Sequence, residues 1–182
     1  MENKTKLTSA FFDRDVLEAA PDLVGKLLCR KMPDGERHTL RITETEAYRG
    51  TEDGACHASK GRTPRAEVLF MEAGHIYVYL VYGMHILLNI VTEQEEIPQA
   101  ILVRACESPY DGPGKLTKHL CIDMSFNKQK IDACEELWIE DDGYRPTIDT
   151  KKRVGIDYAP PLWRDKPWRF TDKKQGGKET KA

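Results

Sequence analysis

The chain has 182 residues and a formal net charge of −2, with 40% hydrophobic and 32% charged residues. This length suits a single domain, and the composition is typical of a soluble globular protein. The net charge gives no support for a nucleic-acid partner, so binding DNA would require a local basic surface. No apolar run approaches the ~20 residues of a membrane span, and the N-terminus lacks an apolar signal segment. We therefore expect a protein that is neither membrane-bound nor secreted.

Cysteine usage indicates a reducing compartment. The five cysteines are scattered, odd in number, and include no C-x-x-C pair. This spacing supports neither a disulfide framework nor a zinc site, so we expect buried free thiols. The histidines and cysteines together offer no metal-binding spacing, and we expect no metal and no cofactor.

Short elements open the chain. A helix capped by Ser9 or Asp13 is predicted first, and Pro21 suits the first turn of a second short helix. Strands are predicted over residues 28–32 and 37–48, because the Pro33-Asp34-Gly35 turn signal separates them and the second segment alternates apolar and polar residues. A long loop follows over residues 49–66, and loops of this length are often functional.

The second predicted strand has an unusual pattern. A side-chain period of two puts Glu44 and Glu46 on the same face as the apolar Leu40 and Ile42. At least one of these carboxylates should then be partly desolvated. Burial raises the pKa of a carboxyl group, so such a residue can act as a general base near neutral pH. The alternative is a pair of ordinary surface charges.

The most apolar stretch is residues 76–91, IYVYLVYGMHILLNIV. Glycine accepts positive φ freely, so the Tyr82-Gly83 pair predicts a hairpin with strands at residues 76–81 and 84–91. Tyr77 and Tyr79 would share one face, and Tyr82 would lie exposed at the tip. That tyrosine is either an ordinary surface residue or one that inserts into a ligand.

The rest of the chain adds further strands and one helix. A helix is predicted over residues 114–122 and strands over residues 99–106, 137–140, 153–158 and 168–170. Arg104 is the single charge in the first of these strands. We expect one mixed α/β (α+β) domain over residues 1–172, with a curved antiparallel sheet, surrounding helices and a protruding β-hairpin. The tail, residues 173–182, is expected to be disordered.

Several of these residues could serve one site. A His and an Arg can hold a water molecule against a Glu, and aromatic rings can sandwich a planar ligand and favour a cationic one. Each feature also has an ordinary explanation: His57 can be a simple loop residue, and Arg104 can pair with a Glu. Basic groups that include Arg62, Arg65 and Lys115 could form a DNA-binding face, although solvated charges are their usual explanation.

Longer motifs extend this pattern along most of the chain, in order and with compatible spacing. They are residues 44–48 (ETEAY), 52–53 (ED), His57, 61–65 (GRTPR), 77–84 (YVYLVYGM), Asn89, 102–105 (LVRA), 112–116 (GPGKL) and 153–156 (RVGI). Together they resemble the alkyladenine (3-methyladenine) DNA glycosylase family. Ala66, and His119-Leu120-Cys121, depart from the usual family pattern outside the expected active site.

The resemblance implies a monofunctional DNA glycosylase for 3-methyladenine, 7-methylguanine, hypoxanthine and ethenoadenine. Such an enzyme flips the damaged purine out of double-stranded DNA and hydrolyses its bond to the sugar, leaving an abasic site. No lysine matches the reacting site, so no lyase step is expected. The protein would be a monomer, in the cytoplasm with the nucleoid if bacterial or in the nucleus if eukaryotic.

The resemblance also implies roles for individual residues. Glu46 would activate water, and His57 and Arg104 would position that water or the pocket. The flipped base would stack against Tyr48, His57 and Tyr79, and Asn89 would disfavour normal guanine. Tyr82 would fill the gap left in the duplex, as wedge residues do. Arg62, Arg65 and Lys115 would contact the DNA backbone.

Two rival functions remain open at this stage. A lesion-binding protein without catalysis would need Tyr82 and the basic groups but neither Glu46 nor His57. A metal-dependent hydrolase could use His57 with His75 and His85, although no H-E-x-x-H or similar spacing occurs.

Overall fold

Antiparallel strand pairing organises this protein, whose computed structural model describes residues 4–175. The strands are β1 (Thr5–Lys6), β2 (Leu27–Lys31), β3 (Arg37–Arg49), β4 (Ile76–Val81), β5 (His85–Thr92), β6 (Gln99–Cys106), β7 (Leu137–Asp141), β8 (Ile148–Lys151) and β9 (Arg169–Asp172). The α-helices are α1 (Ser9–Phe12), α2 (Val16–Leu23), α3 (Pro113–His119) and α4 (Pro161–Arg164). Short 3₁₀ helices span His57–Lys60, Glu67–Phe70 and Met124–Phe126.

The strands form one antiparallel sheet in the order β1-β7-β2-β3-β6-β5-β4, and β9 pairs with both β3 and β8. β3 is the central strand. Its first part pairs with β2, and its second part lies between β6 and β9. The expected mixed α/β class, single domain and antiparallel sheet are confirmed. No helix among residues 4–175 has the length and apolar character to cross a membrane.

Helix α2 packs its apolar face on the main core of the sheet. The Asp15 carboxylate caps this helix by accepting the Leu17 N–H at 2.9 Å. The Thr45 hydroxyl of β3 donates to the Ala20 carbonyl at 2.8 Å, which ties the helix to the central strand. The buried apolar residues of the helix are Val16, Ala19, Ala20 and Leu23.

The predicted helix starts need correction. Ser9 is the first residue of α1, with Thr8 at the cap position, and α2 is capped by Asp15 and not by Asp13. Pro21 lies inside the last turn of α2 and does not begin a second helix. α2 ends two residues later, where Val24 adopts an extended backbone.

The predicted strand over residues 153–158 is wrong. This segment is a loop in which Gly155 adopts a φ of +74°. The Val154 N–H donates to the side chain of Glu46 and not to a neighbouring strand. The strand of this region is β8, which lies earlier in the chain.

The two carboxylates of β3 do not share a face with Leu40 and Ile42, contrary to the prediction. The ladder between β3 and β6 is irregular between Ile42 and Thr45. Beyond this irregularity Ala47, and not Glu46, joins Leu40 and Ile42 in the main core. The irregularity therefore turns the carboxylates to the opposite face of the sheet, as β-bulges commonly do beside active sites.

Two smaller expectations concern the thiols and the tail. All five cysteines are free, and four of them are buried, but Cys121 is exposed. Lys173 donates its backbone N–H to the Thr147 carbonyl at 3.0 Å, in a turn directly after β9. The predicted disorder of residues 176–182 lies outside the described residues.

Candidate active site

A cavity of about 960 Å³ opens on the carboxylate face of β3, within the size range that holds a small ligand. Its lining contains most of the residues that the sequence singled out. They are Tyr48, His57, Arg65, Tyr79, Tyr82, Asn89, Arg104 and Lys115. Glu46 lies directly behind Tyr48 and Arg104, with which it is in contact.

Strand register brings these residues together. Directly opposed residues of neighbouring strands share a face, and one such row runs across four strands. It is made of Tyr77, Asn89, Leu102 and Glu46. The next residues along the same face, Tyr79 on β4 and Tyr48 on β3, complete the aromatic part of the cavity.

Glu46 is fully buried and held on both carboxylate oxygens. Oε1 accepts the Val154 N–H at 2.8 Å and lies 3.5 Å from Nε of Arg104. Oε2 accepts the Tyr48 hydroxyl at 2.9 Å. Burial raises the pKa of Glu46, and the nearby Arg104 charge with these two hydrogen bonds offsets only part of that effect. Glu46 is therefore a restrained carboxylate whose proton affinity is raised.

Arg104 joins the two carboxylates of β3. Its Nε lies 2.9 Å from Oε1 of Glu44, and Glu44 also approaches Arg169 of β9 at 3.3 Å. Glu44 and Glu46 therefore both approach Nε of Arg104, and Glu44 is the nearer of the two. This gives Glu44 a geometric place that the sequence pattern left unassigned.

His57 and two tyrosines form one aromatic wall. The His57 and Tyr79 ring centroids are 4.6 Å apart in an edge-to-face arrangement, and Tyr77 and Tyr79 are 5.1 Å apart. Nδ1 of His57 lies 2.7 Å from the Tyr77 hydroxyl oxygen. Burial, with Arg65 and Lys60 nearby, lowers the pKa of His57, so the ring is neutral at physiological pH. A neutral ring can stack and form a hydrogen bond without repelling a cationic ligand.

Asn89 and Tyr82 occupy opposite ends of the hairpin formed by β4 and β5. Asn89 is buried and donates from Nδ2 to the Tyr77 carbonyl at 3.2 Å. Tyr82 is 87% exposed in the connecting turn, where Tyr82 and Gly83 both have positive φ. Asn89 thus reaches the inner part of the cavity, and Tyr82 lies at its outer edge.

Similarity to known proteins identifies the class of enzyme. A model of the methylpurine-DNA glycosylase family matches residues 10–176. The chain belongs to the methylpurine-DNA glycosylase family. It is therefore a DNA glycosylase, an enzyme of DNA repair that binds DNA and hydrolyses N-glycosidic bonds.

Curated relatives support this assignment. A protein of Methanocella arvoryzae is 44% identical over 185 residues, which covers 90% of this chain and 90% of the relative. A protein of Psychrobacter cryohalolentis is 40% identical, and the match covers 82% of this chain and 84% of the relative. A protein of Rickettsia felis is 41% identical, and the match covers 90% of this chain and 91% of the relative. All three are named "Putative 3-methyladenine DNA glycosylase".

The basic residues proposed for DNA contact differ in position. Arg65 lines the cavity and lies 5.9 Å from the Tyr79 ring centroid. Lys115 also lines the cavity and pairs with Asp111 at 2.6 Å. Arg62 lies outside the lining, packs over the Phe70 ring and pairs with Glu96. In this glycosylase the basic edge of the cavity is therefore formed by Arg65 and Lys115, and by Lys118, which the sequence offered with Lys115 as one of its basic groups.

Other contributors to the glycosylase site had no role assigned from sequence. Tyr77 holds His57, and Val154 holds Glu46 through its backbone. Asp53 and Arg153 form a buried ion pair behind Tyr48. Both ion-pair residues stood within the matched motifs, but a sequence does not show that two residues 100 positions apart meet.

The histidines of the rival hydrolase do not assemble. His75 directs Nδ1 to the Glu72 carbonyl at 2.8 Å, outside the cavity that His57 and His85 line. Among residues 4–175, no three or more His, Cys, Asp or Glu side chains are grouped to hold a metal ion.

Proposed function

We propose that this glycosylase excises alkylated and deaminated purines from double-stranded DNA as a monomer. The substrates would be 3-methyladenine, 7-methylguanine, hypoxanthine and ethenoadenine, and the product an abasic site without strand cleavage. The observation that supports this most is Glu46, a fully buried carboxylate restrained directly behind Tyr48 and Arg104 in the wall of an aromatic cavity. A raised pKa brings the proton affinity of such a group closer to neutral pH, where general bases work best.

In the proposed reaction Glu46 removes a proton from water as the water attacks C1′ of the flipped nucleotide. Arg104 lies beside the same carboxylate and would orient that water, while His57 shapes the pocket. The C1′–N bond breaks with its electron pair moving to the purine. A purine methylated at N3 or N7 is cationic and leaves readily, whereas a neutral purine must gain a proton as it leaves.

Selection of the base would come from the walls of the cavity. Tyr48, His57 and Tyr79 present aromatic surfaces, and a cationic purine is favoured by their electron-rich faces. The neutral form of His57 avoids a charge that would repel such a base. Asn89 would disfavour normal guanine through its exocyclic amino group.

Contact with DNA would come from the outer edge of the cavity. Tyr82 at the hairpin tip would insert into the duplex and hold the space that the flipped nucleotide leaves. Arg65 and Lys115 would contact phosphates, with Arg62 farther out. In a bacterial cell the enzyme would act on the nucleoid.

The test is excision by wild type and Glu46→Gln, with EDTA present, from duplexes that each carry one of the four lesions. We expect abasic sites from the wild type only, with lesion binding retained by the variant. Glu140→Gln is the matched control, because Glu140 is also a buried glutamate but lies on β7 away from the cavity. Turnover by Glu46→Gln would remove Glu46 as the base.

A further inference from the structure

The buried ion pair between Asp53 and Arg153 lies behind the cavity wall. The guanidinium of Arg153 donates to both oxygens of Asp53, from Nη1 at 2.6 Å and from Nη2 at 2.9 Å. Neither side chain has exposed surface. Asp53 also accepts the backbone N–H groups of Arg49 at 3.1 Å and Ala55 at 3.0 Å. The pair therefore joins the turn that follows β3 to the loop that follows β8.

Arg153 also contacts the strand that carries Glu46. Its Nη1 donates to the Ala47 carbonyl at 2.9 Å, directly between Glu46 and Tyr48 in the chain. The guanidinium carbon lies 4.8 Å from the Tyr48 ring centroid. On its other side Arg153 donates to the Trp163 carbonyl at 3.1 Å and packs 5.1 Å from the Trp168 ring centroid.

The residue after Arg153 completes the connection. Val154 donates its backbone N–H to Glu46, and Tyr48, whose ring covers Arg153, donates its hydroxyl to the other oxygen of the same carboxylate. Both hydrogen bonds that restrain Glu46 thus come from groups that Arg153 holds. The loop has no strand partner at this point, and the ion pair is one of its anchors beside the site.

Stability alone explains this arrangement poorly. Removing two charges from water is costly, and a buried ion pair often stabilises a fold no more than apolar residues of equal volume would. Nε of Arg153 is buried and has no hydrogen-bond partner within residues 4–175, which adds to that cost. We infer that Asp53 and Arg153 are positioning residues that hold the Val154 N–H and the Tyr48 hydroxyl on the carboxylate of Glu46. The inference rests on the proposed role of Glu46 as the base.

The expected effect on catalysis has a definite sign. Other groups near Glu46 are Glu44 and Tyr48 on β3, Arg104 on β6, Arg169 on β9, Tyr79 on β4 and Tyr158 in the loop after β8. The Val154 N–H and Tyr48 hydroxyl favour the ionised form of Glu46, so releasing them raises its pKa further. The excision rate falls at low pH, where the base becomes protonated, and this fall is the acidic limb of the profile of rate against pH. Because the base must be ionised, a higher pKa of Glu46 would move this acidic limb to higher pH.

The experiment measures the single-turnover rate of hypoxanthine excision at pH values from 5 to 9, for the wild type, a test variant and a control variant. The test variant is Asp53→Asn with Arg153→Met, which removes both charges and leaves the net charge near Glu46 unchanged. The control is Asp142→Asn with Arg41→Met. Arg41 pairs with both oxygens of Asp142, donates to the Gly25 carbonyl and lies 4.7 Å from the Tyr144 ring centroid, at the other end of β3.

We expect the acidic limb to move up by about one pH unit in the test variant and to stay in place in the control. A uniform loss of rate at every pH, or an equal movement in the control, would show a merely structural pair. Should the double variant fail to fold, Arg153→Lys keeps the charge but not the two-oxygen contact, and an unmoved limb there would equally overturn the inference. Excision by Glu46→Gln would instead remove Glu46 as the base, the role on which this inference rests.

Discussion

At the scale of single residues, Glu46 is in a position that favours catalysis over stability. Its pKa is raised chiefly by burial. A carboxyl group whose folded-state pKa exceeds its unfolded value contributes stability below the unfolded value of ~4.3 and loses it as the pH rises through the folded value. The wild-type protein therefore carries at neutral pH a destabilising charge that its proposed reaction requires.

This linkage predicts how Glu46→Gln changes the free energy of unfolding. Relative to wild type, the variant should gain stability as the pH rises from 4 toward 8, by about 1.4 kcal/mol for each unit by which folding raises the pKa. Urea denaturation at several pH values measures this difference. Glu140→Gln should show the opposite trend, because hydrogen bonds from Trp138 and Arg37 outweigh desolvation and lower the pKa of Glu140. A difference that stays constant with pH for Glu46→Gln would contradict the raised pKa.

Residue identity was easier to predict than residue environment. Glu46, Tyr48 and His57 fall in one short segment, where composition and spacing already suggested a site. The face on which Glu46 lies was predicted wrongly, because an irregular ladder depends on pairing with β6 and not on the local period of two. The Asp53–Arg153 pair was invisible for a similar reason, since its partners are 100 positions apart.

At the scale of elements, the turn between β4 and β5 holds Tyr82 in a backbone conformation that side chains seldom adopt. Tyr82 has a φ of +51° and is followed by Gly83 at +69°. Such a conformation costs of order 1 kcal/mol or more for a residue other than glycine. An exposed aromatic ring on a strained turn contributes little to the fold, which supports a role in binding.

Tyr82→Ser tests that role. The variant should keep the wild-type melting temperature within about 2 °C, because so exposed a ring buries little surface. It should capture the flipped nucleotide less well, which the fluorescence of ethenoadenine in the duplex can follow. Met124→Ser is the control, since Met124 is an exposed apolar side chain outside the cavity lining. Unchanged flipping and excision by Tyr82→Ser would leave the tip with a structural role only.

Strands were predicted better than the segments between them. β3 and β6 alternate or are continuously apolar, and turn residues flank them, so local pattern sufficed. Residues 153–158 (RVGIDY) also place apolar side chains at alternate positions, but the Val154 N–H donates to the side chain of Glu46 on β3 instead of to a neighbouring strand. The helix α4 was missed because Pro160-Pro161 reads as a break, although proline suits the first turn of a helix.

At the scale of the whole molecule, a chain of charge −2 must bind a polyanion. Many of its cations are neutralised by neighbours, among them Lys128 with Glu67 and Lys130 with Glu72. Within residues 4–175, Arg65 and Lys118 form no such ion pair, and both line the cavity. Two cations without an ion pair in the described part of the chain therefore lie where the proposed substrate enters, although the net charge is negative.

This distribution predicts a shallow salt dependence of DNA binding. Each phosphate that a cation neutralises contributes about −0.9 to the slope of log K against log salt concentration. With Arg65, Lys115 and Lys118 as the contacting cations, the slope should lie near −2 to −3, and Lys118→Gln should reduce its magnitude by about one. Lys130→Gln is the matched control, because its charge is paired with Glu72 away from the cavity, and it should leave the slope unchanged. Titrations of lesion duplex at 50 to 200 mM salt measure both slopes. Equal effects of the two substitutions would mean that DNA responds to the overall charge of the protein and not to the cations at the cavity edge.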